Sequence, residues 1–362
     1  MGTGVVSALV SRFHFGAGSL ALEVISLFFF FLNLALFVAI CTMTIARYWL
    51  FPEMWQKMIS HPAQSLFVGA FPMGATTLIN SALTANQAWA FAGTGFLYTL
   101  WAFWWLDLTL SFLCAFGMLY VMMTTQSHTL TRMASVWVLP MVTLIVASST
   151  GGLLANALIN HSIYHSLITT GVSVTALVMG LSLALMILTV YLTRLVLYGP
   201  PDPSLILSAF ITLGPLGQGG FSLLLAGRNL SILLPLHLSN KFPNAAITGD
   251  LLYSACFCGA WILWAMGIAW TAISILSVYA VVRMRKIPFT IAYWGLIFPA
   301  GVFGLLSVEL GEVLESPFFH YFGAICTSSH HMGICISQDD SCTPMWKSSQ
   351  VIIPTATDDS TI

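Results

Sequence analysis

Small polar residues in this chain gather where long apolar stretches are interrupted by Gly and Pro. The interruptions read Gly69-Ala-Phe-Pro-Met-Gly74, Ala147-Ser-Ser-Thr-Gly-Gly152, Gly214-Pro-Leu-Gly-Gln-Gly-Gly220 and Ile297-Phe-Pro-Ala-Gly-Val-Phe-Gly304, with Met1-Gly-Thr-Gly4 as a fifth. Beside them stand Thr3, Ser7, Thr76, Thr77, Ser148, Ser149, Thr150, Gln218 and Ser222. A helix loosened by Gly or Pro frees backbone N–H groups, and a helix start carries partial positive charge that stabilises an anion. Hydroxyl and amide donors can replace part of the anion's hydration shell. Such a site needs no buried Lys or Arg, which is costly inside a bilayer. For a single Ser or Thr, bonding back to its own helix is the commoner role. Their clustering at the interruptions is what points to an anion path.

Aromatic residues stand at the same places. Phe71, Phe221, Phe298 and Phe303 neighbour Gly or Pro, so one ring can plug a narrow lumen, although packing is the default among 25 Phe. Three acids lie in or near the apolar stretches. Asp107, behind Trp104-Trp105, is read as a helix–helix hydrogen bond. Glu309 and Glu23, each near the end of a span, are read as reaching water. His61 before Pro62 is read as an interfacial structural histidine. An intramembrane enzyme needs two titratable groups facing one cavity at one depth, and no such pair is evident. Cys326, His330, His331 and Cys335 have a zinc-compatible spacing but fall where the helical pattern has already failed. No phosphate loop or dinucleotide fingerprint occurs, so neither metal nor cofactor is expected.

The elements that position these residues are membrane helices. Charged residues make up 6% of 362 and apolar ones 58%, with mean hydropathy +0.91. A soluble domain carries about a quarter charged residues, so the chain reads as an all-α polytopic membrane protein. Full spans are expected near 20–45, 65–90, 97–123, 134–158, 166–191, 204–227, 251–281 and 289–310, with a partial span over 1–11 and another starting near 318. Every second span is interrupted near its middle, and irregular backbone in a bilayer must face protein or water. The interrupted spans therefore belong beside a path, with intact ones outside. The net charge of −1 offers nothing to nucleic acid. Four of the seven cysteines, Cys41, Cys114, Cys256 and Cys258, fall within spans, which argues against a disulfide framework.

Basic residues orient the spans. Arg47, Lys57, Arg132, Arg194, Arg283, Arg285 and Lys286 follow the intact spans, against Arg12, Arg228 and Lys241 on the opposite side. The larger set marks the cytoplasmic face and places the amino terminus there. The sequons at Asn160 and Asn229 lie on the other face, in agreement. Short-looped spans then pair as hairpins, and the interruptions recur like an internal repeat.

Met1-Gly-Thr-Gly-Val-Val-Ser7, His61-Pro-Ala-Gln-Ser-Leu-Phe-Val-Gly-Ala-Phe-Pro-Met-Gly74, Gly214-Pro-Leu-Gly-Gln-Gly-Gly-Phe221 and Tyr293-Trp-Gly-Leu-Ile-Phe-Pro-Ala-Gly-Val-Phe303 together resemble the tellurite-resistance/dicarboxylate transporter family. That family includes fungal malate permeases, fungal sulfite efflux pumps and plant slow anion channels. Trp104-Trp-Leu-Asp-Leu108 and Val146-Ala-Ser-Ser-Thr-Gly-Gly152 are most similar to the sulfite-pump branch.

The resemblance covers about residues 1–325. It implies ten helices as five hairpins in quasi-fivefold arrangement around a central pore. The first and last helices are incomplete here, and 326–362 is expected to be a polar, disordered or aberrant tail. It further implies a gating phenylalanine at Phe298 and a homotrimer. The anion path is expected to use Gly2, Thr3, Gly4, Phe71, Pro72, Gly74, Ser149, Thr150, Gly151, Gly217, Gln218, Gly219, Phe221, Pro299 and Gly301. The function expected is sulfite export across the plasma membrane, with malate or another C4-dicarboxylate as the alternative.

Overall fold

The structure is a computed structural model. It describes residues 1–11, 19–89, 92–203, 205–237, 244–283 and 295–326, and all regular structure among them is helical. The helices are α1 (Gly2–Ser11), α2 (Leu20–Leu50), α3 (Glu53–Ser60), α4 (Ala70–Trp89), α5 (Thr94–Thr124), α6 (Leu139–Leu158), α7 (Ile163–Tyr198), α8 (Leu213–His237), α9 (Ala245–Val282), α10 (Ile297–Leu314) and α11 over 317–326. Eight helical spans among the described residues are long and apolar enough to cross a bilayer. They fall on the eight expected spans, with ends shifted by several residues. The tail beyond residue 326, with His330, His331 and Cys335, lies outside the described residues, as do Arg12 and Lys241.

The interruptions sit elsewhere than expected. Tight 3-10 turns at Ser65–Gly69, Ser135–Val138 and Ile206–Thr212 lead into α4, α6 and α8. Pro72, Pro140, Pro215 and Pro299 then fall in the first turn of α4, α6, α8 and α10. Proline is tolerated there because first-turn N–H groups lack an intrahelical partner anyway. From each Pro onward the helix is continuous, through Ala147–Gly152 and through Gly214–Gly220. The expected mid-span break is thus a change of helix type near the start of the span.

What the interrupted and intact spans do differ in is burial. In their most apolar stretches the spans holding α4, α6, α8 and α10 bury 61–89% of their residues, against 6–33% for α2, α5, α7 and α9. The outer helices expose Phe31, Leu113, Met186 and Ile262, an apolar surface that suits lipid and not water. Inside, α1 packs on α4, α4 on α6, α6 on α8, α8 on α10, and α10 returns to α1. Each outer helix covers the groove between two inner ones: α2 lies on α1 and α4, α5 on α4 and α6, α7 on α6 and α8, α9 on α8 and α10.

Glycine makes this packing possible. Lipid tails are as apolar as Leu, so membrane helices associate through close packing and hydrogen bonds. A Cβ on Gly151 would stand 2.5 Å from the Trp104 ring, and closer still to Ser173 Oγ. Trp104 is fully buried there and donates its indole N–H to Ala147 O at 2.8 Å. Asp107, one turn on, accepts from Thr76 Oγ1 at 2.6 Å, the helix–helix bond expected of it. At the end of α7, Arg194 is buried and donates to Thr131 O at 3.0 Å and to Gly199 O. Beyond its bearing on orientation, it ties the following turn to the preceding loop.

Candidate functional site

The inner helices enclose a cavity at their common centre. Its wall takes Gly4, Val5 and Ala8 from α1, Thr77, Asn80 and Thr84 from α4, Val146 and Leu153 from α6, Gln218 and Phe221 from α8, and Phe298, Val302 and Leu305 from α10. The spacings i, i+3, i+7 on α4, i, i+7 on α6 and i, i+4, i+7 on α10 each pick out one helical face. Five such faces meet here. The cavity volume open to a water-sized sphere is about 40 Å³, room for a few waters in single file.

Among the described residues no charged side chain lines this cavity. Its polar groups are the hydroxyls of Thr77 and Thr84 and the amides of Asn80 and Gln218. The Gln218 amide donates to Ser149 Oγ on α6, which pins its orientation. Asn80 Oδ1 is buried and finds no hydrogen-bond partner among the described residues. An unmet buried acceptor costs about 1–3 kcal/mol, and a hydrogen-bond donor such as water would meet it. A second cavity of about 100 Å³ opens between the C-terminal ends of α1 and α4 and the start of α2, lined by Ser11, Glu23, Ser26 and Ser81 among others. Thr84 borders both, so the two adjoin.

Of the residues assigned to the path from sequence, Gly4, Gln218, Phe221 and Phe298 line the central cavity. The others stand on the inner helices and face elsewhere. Gly2 abuts Ile297, and Thr3 donates to Asn33 Oδ1 at 2.6 Å. Phe71, 49% exposed, stacks on Phe37 of α2, against which Gly74 also packs. Pro72 and Pro299 are buried in first turns. Thr150 bonds back to Val146 O, Gly219 meets Leu181 and Leu263, Gly301 meets Val5, and Gly217 meets the backbone of Phe303. Phe303 itself stacks on Trp264 beside Gly267, away from the cavity. The hydroxyls of Thr77, Thr143 and Ser149 bond back to their own helices, the commoner role named for such residues.

Two charged residues differ from expectation. Glu309 does not reach water: it is 2% exposed and pairs with Arg228 at 3.1 Å. Arg228 belongs to α8 and not to a loop. The wall residues missed from sequence, Asn80, Thr84, Leu153, Val302 and Leu305 among them, carry no motif. For Val302 and Leu305 the signal was helical phase, four and seven residues on from Phe298, whereas Asn80, Thr84 and Leu153 had no assigned wall residue on their own helices to count from.

A ring of buried helices around a small neutral cavity, sheathed in lipid-facing helices, is the build of a membrane transport protein. The sequence pattern of the family described as SLAC1, voltage-dependent anion channel, matches residues 1–332, and the chain belongs to that family. It is a multi-span anion transporter and not an enzyme. Among its relatives, the sulfite efflux pump SSU1 of Arthroderma benhamiae is 32% identical over 328 residues, covering 89% of this chain and 82% of the relative. SSU1 of Candida albicans is 26% identical, covering 86% of this chain and 64% of the relative. An uncharacterised transporter of Methanocaldococcus jannaschii, MJ0762, is 26% identical over 310 residues, covering 84% and 80%.

Proposed function

We propose that this protein exports sulfite across the plasma membrane through the cavity at the centre of α1, α4, α6, α8 and α10. The observation that carries the reading is a wall drawn from all five inner helices, with amide and hydroxyl groups and, among the described residues, no charged side chain. A fixed Lys or Arg there would hold an oxyanion too tightly for turnover, whereas neutral donors exchange it. The 32% identity to a sulfite efflux pump favours sulfite over malate as the anion. Phe298 and Phe221 face the cavity, and Phe298 serves as the gate.

The amino terminus lies in the cytoplasm, a placement supported by Arg47, Lys57, Arg132, Arg194 and Arg283 near the starts of the inner spans. The dianion would leave down a membrane potential that contributes about 4.6 kcal/mol per 100 mV, enough for roughly a thousandfold gradient. The assembled form is a homotrimer with a fivefold-like plan in each subunit. Purified protein in liposomes tests the substrate: sulfite flux without malate flux supports the reading. Malate flux without sulfite flux replaces it with the dicarboxylate one.

A further inference from the structure

One charge pair lies C-terminal to the cavity-lining residues of α8 and α10, toward one mouth of the proposed path, and is not needed by a neutral path. Arg228 Nη2 lies 3.1 Å from Glu309 Oε1, with Glu309 buried and Arg228 41% exposed. Both continue the faces that line the cavity. On α10, Glu309 follows Leu305 by four residues and lies about 20° around the axis from Phe298. On α8, Arg228 follows Phe221 by seven residues, again about 20° away. A helical side chain leans toward the N-terminus of its helix, so the guanidinium of Arg228 reaches back from the mouth to Glu309. The pair therefore bridges α8 and α10 one turn beyond Leu305, on the faces that line the cavity lower down.

The chemistry of the pair suits exchange. A guanidinium grips a carboxylate with parallel N–H donors, and any small oxyanion offers the same oxygen geometry. Exposure of the Arg228 side keeps its charge solvated while Glu309 occupies the buried end.

We propose that Arg228 is an anion subsite at this mouth and that Glu309 is its built-in competitor, displaced as each anion passes. The proposal rests on anion transport by this chain and not on sulfite being the anion. It is tested with the full chain in planar bilayers, using chloride and sulfite as separate probes at the mouth side. Glu309→Gln removes the competitor and lowers the half-saturating anion concentration about tenfold, the scale of one charge-assisted hydrogen bond. Arg228→Gln raises it by about as much, and Arg228→Lys, which keeps charge but loses the fork, falls between.

A pair that only ties α8 to α10 gives another pattern. Both single variants then lower the melting temperature, the reversal Arg228→Glu with Glu309→Arg restores it, and half-saturation stays at the wild-type value. That result overturns the proposal. Should Arg228→Gln fail to fold, an unchanged half-saturation in Arg228→Lys and Glu309→Gln overturns it equally. Wild-type protein that conducts chloride but not sulfite removes the sulfite reading and leaves the subsite to be measured with chloride.

Discussion

Gly217 on α8 abuts the backbone of Phe303 on α10, so closely that a Cβ at position 217 would stand 2.7 Å from both its N and its Cα. Backbone cannot swing aside as the end of a side chain can. Gly217→Ala must therefore push α8 from α10 at the level where Gln218 and Val302 line the cavity. The expected cost is about 1–3 kcal/mol, read as a lower melting temperature in detergent. Gly117 on α5 has open space around it, and Gly117→Ala is the control expected to leave stability unchanged or slightly raised. Equal behaviour of the two variants would contradict the close approach.

Phe298 faces the cavity from the second residue of α10. Phe298→Ala opens the lumen and raises passive anion conductance several-fold, and Phe221→Ala acts in the same direction from α8. Conductance that stays at the wild-type level in a well-folded Phe298→Ala variant takes the gate away from this residue.

Asp107 meets Thr76 between α5 and α4, outside the cavity wall. An amide of the same shape keeps that contact, so Asp107→Asn is expected to change stability by less than about 1 kcal/mol and to leave anion flux intact. Loss of flux with the fold retained would make Asp107 part of a proton route instead.

His128, in the loop after α5, packs edge-on against Trp137 at 4.7 Å, and its Nε2 is buried without a hydrogen-bond partner among the described residues. Burial lowers its pKa below the ordinary value of 6.5, because the neutral ring is favoured in the fold. The unfolded chain then binds more protons, so this contribution to stability is present above the ordinary value and is lost as pH falls through the lowered one. The melting temperature should drop on acidification from neutral pH, and less so in His128→Phe, which keeps the ring contact. Parallel pH profiles would show that another group is responsible.

Much of this architecture could be read from the sequence, for identifiable reasons. Spans such as Leu20–Leu50 announce themselves by length and hydropathy, which the bilayer imposes. The inner position of α4, α6, α8 and α10 was legible because Pro72, Pro140, Pro215 and Pro299 recur only on them. Where those prolines act was not legible, since a Pro in a first turn and one in mid-helix look alike without the helix boundary. Motif residues such as Gly151 and Gly217 also admit Trp104 and Phe303 at close range, which the motif alone does not report. Composition marks a glycine as special but does not say which neighbour needs the room. The pairing of Arg228 with Glu309 joins helices distant in sequence, which no local pattern reports.

The return of α10 to α1 has a consequence for biogenesis. A chain made from its amino terminus presents α1 to the membrane well before α10, so one flank of α1 stays uncovered until α10 has been inserted. Sealing the barrel is therefore among the last events of assembly, and lesions in the final hairpin should be felt at the opposite end of the chain. Until then the polar Thr3 and Ser7 are sheltered by α2, through Asn33 and Ser26, with α4 on one flank and the other flank open.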